Sequence, residues 1–299
     1  MVSGTLSLAA YAAIVGLLQG LFFAFMALGL NLIFGVVRMV NVAHGDLIVL
    51  GGYLAYELFS IYHLNAYVSF VLAFPLFFGL GVGVYYLLVP RLENSSDPEM
   101  FSFTAFFGIS MVILALATLA FGYYPAALSY SAVVSTGAFM IAGHGIPYVF
   151  AIMAALSSVM LGLTYYYLER TRLGRATRAI IQNREQALAL GVDARKTTLF
   201  AFAYGFALTG MAGVLAPYVF GYIYPSSDTL ITVLAFTIVI IGALGDPLSS
   251  IVGGLIFGVA YQLLLVFWPA LAYTIVFLAL LVIIVAKPGG VLGKPQREV

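Results

Sequence analysis

Residues 169–196 read ERTRLGRATRAIIQNREQALALGVDARK, and this stretch decides how the rest of the chain can be arranged. It holds seven of the twelve Lys and Arg residues of a chain in which only 8% of residues are charged. An arginine at the centre of a bilayer costs about 3 kcal/mol or more, so the stretch must face water. Loops rich in Lys and Arg stay on the cytoplasmic side of a membrane. The sequence therefore predicts a cytoplasmic loop at 169–197.

The composition of the flanking sequence indicates a polytopic membrane protein. Hydrophobic residues make up 64% of the chain, and its mean hydropathy is +1.12. The absence of cysteine excludes disulfides, thiolate metal sites and cysteine nucleophiles. The basic residues lie in loops that flank the membrane, so we expect no nucleic-acid partner. We expect no cleavable signal peptide, because residues 1–8 contain no basic residue.

Apolar runs of spanning length predict an all-α helix bundle of about 8–9 transmembrane segments. Polar residues, Gly and Pro mark their ends. Some of the segments are expected to be short or broken. The predicted segments are 8–35, a second one that ends near residue 60, 66–89, 101–122, 146–168, 198–224, 229–244, 248–268 and 270–286.

The positions of the basic residues predict the orientation of the bundle. With 169–197 inside and the segments alternating, the loops left outside contain no Lys or Arg. This split predicts an external N-terminus and a cytoplasmic tail at 287–299. One miscounted segment before residue 146 would invert the N-terminal half and leave the tail inside. The predicted outer loops are 1–7, 61–65, 123–145, 225–228 and the turn at residue 269.

A polar stretch, Asn41-Val42-Ala43-His44-Gly45-Asp46, follows Arg38 and interrupts the apolar sequence between the first two segments. Ionisable residues inside a membrane mark functional pathways when they face the interior of the bundle, and broken helices supply free backbone groups. Alternatively, the stretch is a cytoplasmic turn in which Asn41 caps the second helix while His44 and Asp46 pair at the water interface.

A second polar turn, Gly245-Asp246, resembles Gly45-Asp46, because each is followed by a pair of glycines. The two stretches could be halves of an internal repeat, as in many transporters. Glycines also recur at spacings that let membrane helices approach closely, so they are expected to serve packing. These glycines are Gly16 with Gly20, Gly254 with Gly258, and the run Gly79, Gly81 and Gly83.

Within the basic loop, residues 172–190 have the composition of an amphipathic helix, and Gly191 supplies a stop. One apolar stripe could dock into a groove while the arginines face water. Such a helix could receive a push from a soluble motor, or it could lie on anionic lipid. The stripe consists of Ala176, Ala179, Ile180, Ala187 and Leu190.

The chain itself shows no sign of an ATPase or other enzyme. No G-x-x-x-x-G-K-[ST] phosphate loop is present, since Gly289 to Lys294 is one residue too short and Pro295 follows. No H-E-x-x-H or paired-carboxylate pattern indicates hydrolytic chemistry. We therefore expect no catalytic residue, cofactor or metal in this chain.

Glu185-Gln186-Ala187 followed by Gly191 resembles the E-A-A-x-x-x-G loop of ABC importer permeases. The stretches Asn31 to Asp46, Gly242 to Pro247 and Lys287 to Pro295 resemble LivH-type permease subunits of branched-chain amino acid ABC importers. The matches occur in order along nearly the whole chain. The chain departs from the pattern at Gln186, where the motif has alanine, and at Asn183, where the family often has aspartate.

The resemblance implies one permease domain over 1–299, in a prokaryotic inner membrane, with 169–197 as the loop that couples it to a motor. It implies a second related permease subunit, two ABC ATPase subunits that bind ATP and Mg, an external solute-binding protein, and contact with membrane lipid. The implied residues for coupling to the ATPase are Arg175, Arg178, Glu185, Ala187 and Gly191. The candidates for the translocation pathway or helix break are Asn31, Asn41, His44, Gly45, Asp46, Gly245 and Asp246.

Two other functions fit the same residues. Relatives within the ABC class import urea or short amides, and selectivity there rests largely with the binding protein. A stand-alone channel or secondary carrier for a small neutral solute would suit an intramembrane His44 and a pathway with few charges. That function would leave the arginine-rich loop without a purpose.

Overall fold

The computed structural model describes residues 2–122, 137–141, 143–287, 289–290 and 292. These residues form eleven α-helices and one antiparallel hairpin, β1 Ala138–Ile141 with β2 His144–Pro147. Short 3-10 turns, Pro225–Ser227 and Pro269–Leu271, precede two of the helices. The helices are α1 Val2–Val37, α2 His44–Tyr62, α3 Ala66–Glu93, α4 Pro98–Phe121, α5 Tyr148–Arg170, α6 Arg172–Gln182, α7 Arg184–Ala189, α8 Ala194–Phe220, α9 Asp228–Gly242, α10 Ser249–Phe267 and α11 Ala272–Ala286.

Seven helical segments of the described chain are long and apolar enough to cross a membrane. They are α1, α3, α4, α5, α8, α9 with its preceding turn, and α10. Helices α2 and α11 correspond to the other two of the predicted apolar segments. The prediction of an all-α polytopic bundle is therefore confirmed.

Helix α1 lies at the centre of the bundle and packs closely along α10. A Cβ atom added at Gly16 would lie 2.8 Å from Gly258 O, and one added at Gly20 would lie 3.0 Å from Gly254 O. Membrane helices associate through such close backbone approach, because lipid supplies no hydrophobic driving force between them. The packing role predicted for these four glycines is confirmed.

The glycine run on α3 behaves differently. Only Gly81 packs closely, against Ala203 and the side chain of Phe206 on α8. A Cβ atom at Gly79 or Gly83 would meet nothing within 4 Å. These two glycines lie on the outward side of α3, so the predicted packing role holds for one residue of the three.

One end of the bundle carries every described Lys and Arg, and we call it the basic end. There the end of α3 meets α7 through Glu93 and Arg184, and Leu292 N donates to Gly242 O, at the last residue of α9. Much of the predicted tail 287–299, and 123–136 with 142 of the predicted outer loop 123–145, lie outside the described residues. The basic residues at this end are Arg38, Arg91, Arg170, Arg172, Arg175, Arg178, Arg184, Arg195, Lys196 and Lys287.

The chain breaks after α1 and turns back into the bundle. Helix α1 ends at Val37, yet the first residue of α2, His44, contacts the carbonyl of Met26, about 16 Å back along α1 at 1.5 Å per residue. Residues 38–43 therefore carry the backbone back inward, and α2 begins inside the protein. The short or broken second segment predicted from the sequence is confirmed.

The alternative of a turn at the water interface is wrong. Ala43 is the residue before α2 and makes no side-chain cap, so Asn41 does not cap the helix. The side chains of Asn41, His44 and Asp46 are all buried. His44 bonds to the backbone of α1 and forms no pair with Asp46.

Candidate functional site

Two helices begin at the same place inside the bundle, and we call their meeting point the N-terminal junction. Gly45 N, at the start of α2, donates to Thr232 Oγ1 of α9 over 2.8 Å. The same hydroxyl donates to Val42 O over 3.2 Å. A Cβ atom at Gly45 would overlap the carbonyl oxygen of Asp228, the first residue of α9. Only glycine allows this approach of the two helix ends.

The N-terminal junction contains three buried polar side chains with unsatisfied atoms. Asp46 is 2% exposed and Asp228 is 4% exposed, and one carboxylate oxygen of each has no hydrogen-bond partner among the described residues. Both polar atoms of the Asn41 amide also lack a partner there. Buried polar groups are usually satisfied, so these atoms require an explanation.

Asp228 is the residue of this site that sequence reasoning missed. The predicted loop 225–228 coincides with the connection between α8 and α9, yet Pro225, Ser227 and Asp228 are buried, and Asp228 is the first residue of α9. The sequence Pro-Ser-Ser-Asp before an apolar run is itself a helix-start signal. That signal locates the helix end along the chain but carries no information about its depth in the bundle.

His44 holds α2 against α1 and α8. Its Nε2 donates to Met26 O over 3.1 Å, since a carbonyl can only accept, and its Nδ1 faces the Thr209 hydroxyl at 3.5 Å. Thr209 in turn donates to Gly205 O over 2.8 Å. Nε2 is bonded to the backbone of α1 and Nδ1 lies against Thr209, so the geometry of His44 is that of a structural residue.

Asn31 belongs to a separate site near the basic end, together with Gly245 and Asp246. Its Oδ1 accepts from Gly245 N at 2.7 Å, and its amide nitrogen lies 3.1 Å from Ala243 O, 2.7 Å from Asp246 O and 2.9 Å from Ser250 Oγ. Gly245 adopts φ +84°, which glycine tolerates best. Asn31 thereby ties the turn between α9 and α10 to α1.

The predicted pathway residues therefore fall into two groups, with Asn41, His44, Gly45 and Asp46 at the N-terminal junction. The two Gly-Asp pairs occupy different local structures. Asp46 lies buried in the first turn of α2, whereas Asp246 is exposed in the turn before α10 and accepts from Leu248 N. The local structure does not support a repeat that relates these pairs.

We expect Asn31→Asp to destabilise the protein. The carboxylate cannot donate to the three acceptors around it, and a buried group left unsatisfied costs about 1–3 kcal/mol. Thermal unfolding in mild detergent should show a lower midpoint. Asn65→Asp is the matched control, because Asn65 caps α3 by accepting from Val68 N and aspartate can do the same. Equal midpoints for the two variants would contradict the assignment.

The basic loop is two helices where the sequence predicted one over 172–190. The break falls at Asn183, whose Oδ1 accepts from Gln186 N at 2.9 Å and caps α7. Asparagine caps a helix as well as aspartate does, so the departure from the family pattern at Asn183 preserves this contact. Gly191 has φ +82° and ends α7, as predicted.

The break decides which residues of the loop face outward. Ala187 is buried against Ile180 and Ala194, whereas Glu185 and Gly191 are exposed. Leu190 of the predicted apolar stripe is 84% exposed, so the structure divides the stripe between a buried part and an exposed part. Arg178 pairs with Glu169, and Arg175 donates to Arg170 O over 3.2 Å.

A cleft of about 610 Å³ lies beside α7 at the basic end, lined by residues of α3 and of the loop. Arg184 lines this cleft and donates to both carboxylate oxygens of Glu93, over 2.6 and 3.0 Å. These hydrogen bonds to the Glu93 carboxylate raise the pKa of Arg184 and keep the guanidinium charged. Two-point pairs of this kind fix orientation, so α7 is anchored to α3.

Comparisons with known proteins agree on one family. The sequence model of the family described as "Branched-chain amino acid transport system / permease component" matches residues 12–286. The chain is 25% identical over 299 residues to the high-affinity branched-chain amino acid transport system permease protein LivH of Escherichia coli, covering 95% of each. It is 26% identical over 296 residues to the corresponding protein BraD of Pseudomonas aeruginosa, again covering 95% of each.

A third relative is archaeal. The chain is 28% identical over 247 residues to a probable branched-chain amino acid transport permease protein LivH of Methanocaldococcus jannaschii, covering 80% of this chain and 76% of the relative. No solved structure shows significant similarity to the chain.

Proposed function

Because this chain belongs to the family of branched-chain amino acid transport permease components, we propose that it is a transmembrane permease subunit of an ATP-driven importer for these amino acids. The match of the family model to residues 12–286 is the observation that carries the proposal. The subunit is non-catalytic and multi-pass, and it binds no cofactor. An external binding protein delivers the solute, and alternating access moves it across the membrane.

The complex contains a second related permease subunit and two ABC ATPases, which bind ATP and Mg. The basic end faces the cytoplasm and the N-terminus faces outward, since loops rich in Lys and Arg stay inside. The described Lys and Arg residues all lie at the basic end of the bundle, and this supports the orientation. The membrane is the prokaryotic inner membrane.

The exposed side of α7 and the turn after it form the surface that meets the ATPase. Glu185, Leu188 and Leu190 lie on this surface, and Leu188 is 50% exposed although it is apolar. Ala187 lies beneath it and supports the segment from inside. Exposed apolar side chains grouped in a water-facing loop are typical of a protein interface.

Two contacts carry a movement of this loop into the membrane helices. Arg184 and Glu93 join α7 to α3, and the hydroxyls of Tyr167 and Thr177 join α5 to α6 over 2.8 Å. A displacement of the loop by an ATPase would therefore shift α3 and α5 with it.

We expect Leu188→Glu to reduce co-purification of the ATPase subunits and to lower uptake at least tenfold. The substitution places a charge where the interface requires an apolar side chain, while the exposed position spares the fold. Ser96→Glu, in the turn between α3 and α4, adds the same charge elsewhere at the basic end and should have no effect. Normal ATPase recovery with Leu188→Glu would contradict the assigned surface.

The function is tested by purifying the tagged protein from native membranes in mild detergent and identifying its partners by mass spectrometry. A second permease with phosphate-loop ATPases is the expected result, and the accompanying binding protein can be titrated with leucine, urea and amides. A homo-oligomer without an ATPase would overturn the proposal and favour a channel or secondary carrier.

A further inference from the structure

The N-terminal junction contains two buried carboxyl groups without a basic partner among the described residues. In the described part of the chain the ion pairs are Arg178–Glu169, Arg184–Glu93 and Lys196–Asp193, and all lie at the basic end. Asp46 and Asp228 are buried, and each retains one free carboxylate oxygen. Buried charges are normally paired, because removing them from water is costly. The free oxygens therefore point to a missing cationic group.

The same place holds two helix ends that the preceding residue does not cap, and one of their N–H groups, Gly45 N, donates to Thr232 Oγ1. Neither Ala43 before α2 nor Ser227 before α9 makes a side-chain cap hydrogen bond. A helix N-terminus carries about half a positive charge and presents backbone N–H groups. Broken membrane helices use such ends to hold the carboxylate of a solute. The N-terminal junction thus combines groups that attract an ammonium with groups that attract a carboxylate.

We propose that the N-terminal junction binds the charged ends of the transported α-amino acid. Asp46 and Asp228 hold its ammonium group, and the first turns of α2 and α9 face its carboxylate. This assignment rests on the proposed function of the chain as an importer subunit. It also selects among solutes, because urea and short amides carry no ammonium group.

The N-terminal junction is closed in this structure, so the solute enters by separation of the two helix ends. Their contact is made by backbone at Gly45 and Asp228 and by the hydroxyl of Thr232. Across it, Thr232 accepts from Gly45 N and donates to Val42 O. Movement of α2 relative to α9 breaks these two hydrogen bonds and exposes both carboxylates.

The test is binding of leucine to the purified complex, without its binding protein, in lipid nanodiscs, followed by saturation-transfer NMR. Two competitors each carry only one of the charged groups of leucine: 4-methylpentanoate lacks the ammonium group, and 3-methylbutylamine lacks the carboxylate. Leucine should bind best, and Asp46→Asn and Asp228→Asn should each weaken its binding at least tenfold. Glu57→Gln, further along α2, is the matched control and should bind leucine normally.

The proposal is overturned if 4-methylpentanoate competes as well as leucine does, if both Asn variants bind leucine normally, or if the intact complex binds no leucine. Variants are compared only when they elute as single species with the intact thermal midpoint. ATP-driven leucine uptake by the complex is measured in parallel. Uptake without the expected binding pattern would remove this site while leaving the importer function in place.

Discussion

Gly258→Leu is expected to abolish recovery of folded protein. A Cβ atom at residue 258 would lie 2.5 Å from Gly16 O and would overlap the backbone at Gly20, both on α1. Backbone cannot move aside as a flexible side chain can, so α1 and α10 must separate. Overpacking costs about 1–3 kcal/mol even where side chains can adjust. We expect a larger loss here, against a total stability of about 5–15 kcal/mol for a typical domain.

Fluorescence-detected size exclusion in mild detergent measures this effect, with expression level and midpoint of thermal aggregation as readouts. Gly79→Leu is the control, because it makes the same change on α3 where a Cβ atom meets nothing within 4 Å. It should elute as the unmodified protein does. A single sharp peak with an unchanged midpoint for Gly258→Leu would show that the α1–α10 contact is looser than described.

Gly191→Val is expected to leave the protein in the membrane but to lower uptake more than tenfold. Gly191 has φ +82°, a conformation that a β-branched residue adopts at a cost of about 1–3 kcal/mol. The turn it forms is held by Gly191 N donating to Leu188 O and by Val192 N donating to Ala187 O. Valine would relieve its strain by opening this turn, which displaces the surface proposed to meet the ATPase.

Gly191→Asn separates strain from bulk in this experiment. Asparagine visits the left-handed conformation, and a Cβ atom at residue 191 meets nothing within 4 Å, so neither variant clashes. ATPase activity and leucine uptake in proteoliposomes should be near normal for Gly191→Asn and strongly reduced for Gly191→Val. Equal uptake by the two variants would show that the turn does not need its observed conformation.

The sequence predicted those features that follow from the cost of a residue in lipid. Apolar runs of spanning length indicated the membrane class, and seven basic residues in 169–196, which cannot enter a bilayer, determined the position of the loop. Glycines at four-residue spacing can approach a neighbouring backbone, and Gly254 and Gly258 do so against α1. These properties depend on local chemistry, which the residues themselves carry.

The depth of a helix end in the bundle, and the direction in which a side chain of the basic loop faces, could not be predicted in this way. Polar residues at the ends of apolar runs fit a water-facing turn or a buried helix end equally well, and so Asp228 was assigned to a loop. The apolar stripe of the basic loop was predicted on one continuous helix. The cap at Asn183 restarts the helix and changes the phase of every later residue, which turns Leu190 outward. Both outcomes depend on tertiary contacts between distant parts of the chain.

The close fit between α1 and α10 also has a consequence during synthesis. Gly20 emerges from the ribosome more than 200 residues before Gly254, its partner in the finished protein. At about 5–20 residues per second, the first helix waits roughly 10–50 s for that partner. During this interval its glycine face is open to any helix that inserts nearby. Productive biogenesis therefore depends on shielding α1, by the insertion machinery or by earlier segments of the same chain, until translation is nearly complete.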